Sequence, residues 1–292
     1  MSKPRVAILG LGIMGSGMAG RVLSADFPLT VYNRNREKAA PFEKARAFVA
    51  SSPREAAGRA EIIISIVADD AASRAVWLGE DGALAGASRG SVLIESSTLT
   101  VAWVRELAAA AAHRGCELLD APVTGTKPHA AAGELLFLVG GSASALATAR
   151  PVLSVLSRDI VHLGPTGSGA YLKLINNFLC GVQAASFAEA IAFISKSGLD
   201  RSKAVGVLTS GAPGSPLLKI ISARAAAAAA DFTPNFESRL MAKDLRYAVE
   251  EAARSGLALQ TATAAHEIFM HAITAGHGEK DFSAVLESLP QD

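Results

Sequence analysis

The stretch VAILGLGIMGSGMAGRVL, residues 6–23, constrains this chain more than any other. A β-branched apolar run leads straight into Gly10-x-Gly12-x-x-Gly15, and helix-forming residues follow at once. Such a spacing, at the first turn of a strand–helix unit, suits a chain that must bend sharply and meet a ligand with its backbone. Gly10 supplies the tight turn, Gly12 lets the main chain approach a pyrophosphate, and Gly15 lets the helix pack against the strand. The helix start offers free N–H groups and the positive end of its dipole to the phosphates. The loop Gly10, Leu11, Gly12, Ile13, Met14 and Gly15 is therefore the candidate cradle for a dinucleotide.

The first half of the chain continues in the same rhythm. Strands are expected at 5–10, 29–33, 62–67, 91–96, 116–123, 135–141 and 159–164, many of them continuously apolar, as strands covered on both faces are. Ala-rich helical segments such as 101–115 lie between them. Alternating β and α predicts a parallel, doubly wound sheet. After about residue 164 the strands stop, and helices are expected at 168–197, 201–209, 214–229, 238–255 and 258–275. The Ala run 225–230 reads as ordinary helix. The predicted architecture is α/β: an N-terminal Rossmann-type doubly wound sheet, residues 1–164, followed by an all-α domain, residues 165–292, joined by a long helix.

Which dinucleotide is bound turns on the end of the second strand. A site for NAD places Asp or Glu there to hold the ribose hydroxyls. Here the strand runs out as VYNRNREKA, with Asn33 and Arg34 where the acid would stand. Arg34 offers a charged fork to a 2′-phosphate, and Asn33 and Asn35 stand beside it as donors. The expectation is NADP, with NAD as the alternative.

With 28 basic and 27 acidic side chains, the chain has no basic excess to favour nucleic acid or an anionic membrane. Cys116 and Cys180 are too few for a disulfide framework and lack metal-ligand spacing; His266 and His271 are five apart, off any common helix face. No metal site is expected. The opening MSKPRVAILGLG enters an apolar strand within a few residues, so no cleavable leader is expected, and no uninterrupted apolar run is expected to span a bilayer. A cytoplasmic location is the expectation.

One segment resists a purely structural reading. GSGAYLKLINNFLCGVQAASFAEAIAFI, residues 167–194, is a long apolar helix with Lys173 near its start and Asn176 and Asn177 close behind. A buried ammonium is unfavourable unless it finds partners, loses its proton or reaches water with its head.

Four ordered blocks now carry a resemblance: GLGIMGSGMA (10–19), DAPVTGTKPHAAAGEL (120–135), GSGAYLKLINN (167–177) and KDLRYA (243–248), with a weaker fifth, DFSAV (281–285). Together they resemble the β-hydroxyacid dehydrogenase family, nearly end to end. The resemblance implies Lys173 as the catalytic lysine and Asn177 as the amide that supports it and touches substrate. It implies that Thr124, Gly125 and Thr126 hold the substrate carboxylate through backbone N–H groups and hydroxyls. Thr98 falls on a position near the nicotinamide, Lys243 on a lysine that reaches the cofactor, and Val67 and Ala68 on the adenosine-side turn.

Where the family pattern reads Ser-Gly-Gly, this chain has Thr124-Gly125-Thr126, and His129 stands where a further Gly is common. Thr126-Lys127 resembles the glyoxylate/succinic semialdehyde reductases. The implied function is an NADPH-dependent reductase interconverting a small semialdehyde or keto acid and its hydroxy acid. The implied partner is a small carboxylate-bearing substrate, and the implied assembly a homodimer or homotetramer. Two rivals are an imine reductase and a non-catalytic NADP-binding assembly module; Lys173 argues against both. A third is a sugar-acid or 6-phosphogluconate-type dehydrogenase, whose larger helical domain and extra phosphate-binding basic residues are not evident in the sequence.

Overall fold

The structure, a computed structural model, describes residues 3–226 and 232–289. Two compact units divide between Lys173 and Leu174, inside a helix.

The first unit opens with β1 (Val6–Leu9), α1 (Ile13–Ser24) and β2 (Leu29–Tyr32). A 3₁₀ turn (Arg36–Ala39), α2 (Ala40–Lys44), β3 (Phe48–Val49), α3 (Pro53–Gly58) and β4 (Ile62–Ser65) follow. Next come α4 (Asp70–Leu78), α5 (Ala83–Gly86), β5 (Val92–Glu95), α6 (Val101–His113) and β6 (Glu117–Asp120). The unit continues through β7 (Val123–Thr124), α7 (Lys127–Ala132), β8 (Leu135–Gly140), α8 (Ala143–Leu156) and β9 (Ser157–Gly164) into the first turns of α9 (Ser168–Ser197).

The strands form one sheet in the order β3-β2-β1-β4-β5-β6-β8-β7, with β9 added beside β8. From β3 to β6 every pairing is parallel, so the chain ends of these strands share one edge. All four residues of β1, β4 and β5 are buried, which is why those segments read as unbroken apolar runs. Side-chain caps start the helices that follow: Ser52 for α3, Asp69 for α4, Thr100 for α6 and Ser142 for α8. Ile8, Val31, Ile64, Ile94 and Phe137 join Met18, Val22 and Leu153 in the core.

Three features depart from the sequence reading. The far edge is not parallel, since β8 runs against both β6 and β7. The segment expected as one strand at 116–123 breaks at Ala121-Pro122, because proline has no N–H for a ladder. The two-residue β3 carries too little periodicity to be read from sequence.

The second unit holds the rest of α9, then α10 (Arg201–Ser210), α11 (Pro216–Ala226), α12 (Ser238–Arg254) and α13 (Gln260–Ala272), closed by a widened turn at Ile273–His277 and a 3₁₀ turn at Phe282–Glu287. The part of the expected 214–229 helix beyond Ala226 lies outside the described residues. Phe187, Ala188 and Ile191 of α9 pack with Ile221, Met241, Leu245 and Phe269. Gly181 lets α9 approach α12 closely, for a Cβ there would stand 2.9 Å from the Leu245 side chain. By length and composition α9 is long and apolar enough to cross a membrane, which the sequence reading did not expect. Its buried face here forms part of the helical core.

Candidate active site

The glycine loop follows from β1. Gly10 has φ +103°, a conformation open to glycine, and its N–H donates to the Tyr32 carbonyl at 2.9 Å. A Cβ at Gly15 would lie 2.0 Å from the Gly10 carbonyl oxygen, so only glycine lets α1 sit this close to the strand. Gly12 is different, for a Cβ built there meets nothing within 4 Å. It opens α1 with no side-chain cap and no acid in the first turn. Uncapped N–H groups at Ile13 and Met14, facing open space at Gly12, fit a pyrophosphate.

Beyond β2 the Asn33 side chain serves the loop itself. Its Oδ1 accepts the Leu11 N–H at 2.8 Å and its Nδ2 donates to the Asn35 carbonyl at 2.8 Å. Asn35 in turn accepts the Glu37 N–H at 3.0 Å. The asparagines expected as phosphate donors thus brace the glycine loop and the 3₁₀ turn. Arg34 between them is exposed.

A buried polar cluster holds the next two strand ends. Glu95 Oε2 accepts from Ser73 Oγ at 2.6 Å and from Trp77 Nε1 at 2.8 Å, while Oε1 accepts the Ser97 N–H at 2.9 Å. Trp103 Nε1 donates to Ser73 Oγ at 2.9 Å. The Val67 N–H donates to Ser97 Oγ at 2.8 Å, and Asp70 accepts both the N–H and the hydroxyl of Thr100. Val67, Ala68 and Thr98 therefore stand on loops fastened at both ends. Burial pushes the Glu95 carboxyl above its ordinary range, and its hydrogen bonds pull the other way.

In the VTGTK loop, Thr124 belongs to β7 opposite Leu136, and Gly125 turns with φ +135°. The Thr126 N–H donates to His129 Nδ1 at 3.1 Å, and the Thr126 hydroxyl lies 2.7 Å from the same nitrogen. A backbone N–H can only donate, so Nδ1 is the acceptor and the proton of the neutral ring sits on Nε2. This corrects one expectation: the Thr126 N–H is engaged by His129 and is not a third open donor for a carboxylate. The helix that follows the loop, α7, lies against α1, where a Cβ on Gly17 would stand 2.9 Å from Ala130 Cβ.

Lys173 is half-buried, in the second turn of α9. The start of that helix is tied to the end of β6, where the Asp120 carboxylate accepts the Gly167 N–H at 2.8 Å and the Ala170 N–H at 2.9 Å. Burial raises the Asp120 carboxyl, opposed by the N–H groups of Gly167, Ala170, Asp120 itself and Gly169. In the second unit, Asn177 is 6% exposed and donates Nδ2 to Asp244 Oδ2 at 2.6 Å. Lys243 pairs with the other oxygen of Asp244 at 3.0 Å and lies over the Tyr247 ring.

Residues 5–164 match the family described as the NAD binding domain of 6-phosphogluconate dehydrogenase, and residues 167–289 the one described as NAD-binding of NADP-dependent 3-hydroxyisobutyrate dehydrogenase. The chain belongs to the β-hydroxyacid dehydrogenase family. An NAD-dependent L-serine dehydrogenase of Pseudomonas aeruginosa is 34% identical over 96% of both chains. Glyoxylate/succinic semialdehyde reductase 2 of Arabidopsis thaliana is 33% identical over 97% of this chain and 79% of its own. The solved structure of Mycobacterium tuberculosis 3-hydroxyisobutyrate dehydrogenase with L-serine superposes with a TM-score of 0.87 at 32% identity, covering 98% of this chain and 99% of the other.

In this β-hydroxyacid dehydrogenase, Glu95 and Asp120 escaped the sequence reading. The signal was present: each is an acid at the last position of a strand, directly after apolar residues, in VLIE and ELLD. A carboxylate at such a place must find several donors, and both do. Among the described residues no group of three or more His, Cys, Asp or Glu side chains converges as a metal site.

Proposed function

We propose that this β-hydroxyacid dehydrogenase is an NADPH-dependent reductase that interconverts a small semialdehyde or keto acid and its hydroxy acid, with Lys173 as general acid and base. The observation that carries the reading is the Asp120 tie. It starts the Lys173 helix at the chain-end edge of the parallel sheet, where the glycine loop also emerges. In open sheets of this kind ligands bind along that edge.

A nicotinamide held at this edge would supply hydride to the carbonyl carbon of the substrate. Lys173 gives its proton to the carbonyl oxygen as the C–O double bond becomes an alcohol, and takes it back in the reverse direction. Thr124 and Gly125 anchor the acid group, which fixes the reacting carbon before the proton moves. Asn177 and Lys243 enter through the family resemblance, as substrate amide and cofactor lysine. NADP preference is supported by Arg34, exposed beyond β2 with no carboxylate before Glu37 to repel a 2′-phosphate. Exposed Leu179 and Phe193 on α9 suit assembly into a homodimer or homotetramer. A cytoplasmic location belongs to the same reading.

The test is turnover of NADPH and NADH with succinic semialdehyde, glyoxylate, tartronate semialdehyde and methylmalonate semialdehyde, and of NADP and NAD with L-serine. Rapid NADPH oxidation with one acid-bearing aldehyde is expected. A clear preference for NADH removes the Arg34 assignment. A Lys173→Ala variant that keeps most of its activity removes the proton-donor role.

A further inference from the structure

We propose that Asp120 is a positioning residue for Lys173, fixing the first turn of α9 so that the ammonium stands at the sheet edge. The inference rests on the reading of Lys173 as proton donor. Asp120 is 1% exposed, at the last position of β6, and its partners are the backbone N–H groups that a helix start leaves unpaired. One carboxylate thus grips Gly167 and Ala170 with different oxygens, a grip that a neutral side chain of the same shape cannot copy.

The packing around this grip leaves no slack. A Cβ on Gly140 would lie 2.5 Å from Asp120 Oδ1. A Cβ on Gly169 would lie 2.2 Å from the Leu138 carbonyl oxygen and 2.6 Å from that of Asp120. The first turn of α9 therefore rests directly on the backbone of the β6 and β8 ends. Gly169 and Lys173 are four apart, one above the other on a single helix face. Side chains on a helix lean toward its N-terminus, so Lys173 covers the turn that begins at Gly169. The helix face that carries the lysine is the face pressed onto the sheet, and Asp120 clamps that contact from below.

If Asp120 acted only as part of the scaffold, its loss would weaken cofactor binding and thermal stability together with turnover. A positioning role predicts a split. Proton transfer depends on the last ångström of alignment, and a misplacement of about 1 Å lowers rates on the order of 10²-fold. The glycine loop is built from β1 and α1, whereas the Asp120 carboxylate bonds to the start of α9.

The experiment compares the intact wild-type enzyme with Asp120→Asn, Gly140→Ala and Lys173→Ala, measuring kcat and its pH profile, NADPH Kd and Tm. Asp120→Asn sets a donor against one of two N–H groups. Gly140→Ala keeps the charge and pushes on the carboxylate. We expect kcat to fall by about 10²-fold in Asp120→Asn, with NADPH Kd within about twofold and the limb of the pH profile due to the general acid displaced. Gly140→Ala should show the same split to a lesser degree, and it decides the matter if Asp120→Asn does not fold. A kcat within about threefold of wild type, or kcat and NADPH affinity falling in step, overturns the inference. An inactive Lys173→Ala beside a fully active Asp120→Asn defeats this proposal alone; an active Lys173→Ala defeats the proton-donor reading beneath it.

Discussion

Asn177 gives its side-chain amide to Asp244 at 2.6 Å, and the same carboxylate holds Lys243 at 3.0 Å. Asp244 is 0% exposed, so one buried acid orients both residues that the family resemblance assigns to the helical unit. Asn177 Oδ1 in turn accepts from the neighbouring Asn176 side-chain amide at 2.9 Å.

Removing that carboxylate leaves an amide and an ammonium in a poorly hydrated place. Asp244→Ala should destabilise the protein by about 3 kcal/mol, the usual effect of breaking a buried charged contact from one side. Asp244→Asn, which keeps one acceptor, should cost about half of that or less. Chemical denaturation midpoints for the two variants check the order; equal values would show that the acceptor kept by Asn does nothing and that the whole effect comes from the charge on Asp244.

The glycine loop predicts a contrast between two alanines. At Gly12 a Cβ enters open space, so Gly12→Ala should leave Tm near that of wild type while NADPH binding weakens by at least about tenfold. At Gly15 a Cβ would meet the Gly10 carbonyl at 2.0 Å, so Gly15→Ala should lower both Tm and NADPH affinity. Thermal melts and cofactor titrations distinguish the two. Undiminished NADPH binding by Gly12→Ala would remove the pyrophosphate from that face of the loop.

His129 works through one nitrogen. Replacing it by Ala frees the Thr126 N–H and hydroxyl and removes a cap from α7, at about 1 kcal/mol. An asparagine places its Oδ1 near the position of Nδ1. His129→Asn should therefore keep substrate KM within about twofold of wild type, while His129→Ala raises it by about tenfold. Steady-state kinetics with the best acid substrate settles the comparison. If Asn and Ala behave alike, the ring contributes something other than the Nδ1 acceptor.

Glu95 makes stability depend on pH in a stated direction. Burial lifts its carboxyl above the ordinary value of 4.5, so the folded protein binds more protons than the unfolded chain between the two values. Stability from this group is then greatest below the unfolded value and declines as pH rises through the folded one. Glu95→Gln cannot titrate, and it leaves the Ser97 N–H facing a donor, for about 1–3 kcal/mol at any pH. The margin of wild type over Glu95→Gln should accordingly be widest at acid pH and shrink toward neutrality. A margin that grows with pH would mean that the cluster favours the carboxylate over the acid.

The alternation of strands and helices, the glycine loop, the Lys173 helix and the family were legible in the chain. Periodicity, glycine spacing and ordered motifs are local properties, carried by residues close together in sequence. Long-range partnerships were not. Asp120 meets Gly167 and Ala170 across some forty-seven to fifty positions, and Asn177 meets Asp244 across sixty-seven. Nothing in the spacing of such residues marks them as neighbours.

The same holds for Asn33 and Thr126, whose chemistry suggested ligand donors. Folding gave their hydrogen bonds to Leu11, Asn35 and His129 instead. An amide or hydroxyl in a sequence states what it is able to bond. Only packing, which decides what lies within 3 Å of it, determines which groups are spent on the fold and which stay open to a ligand.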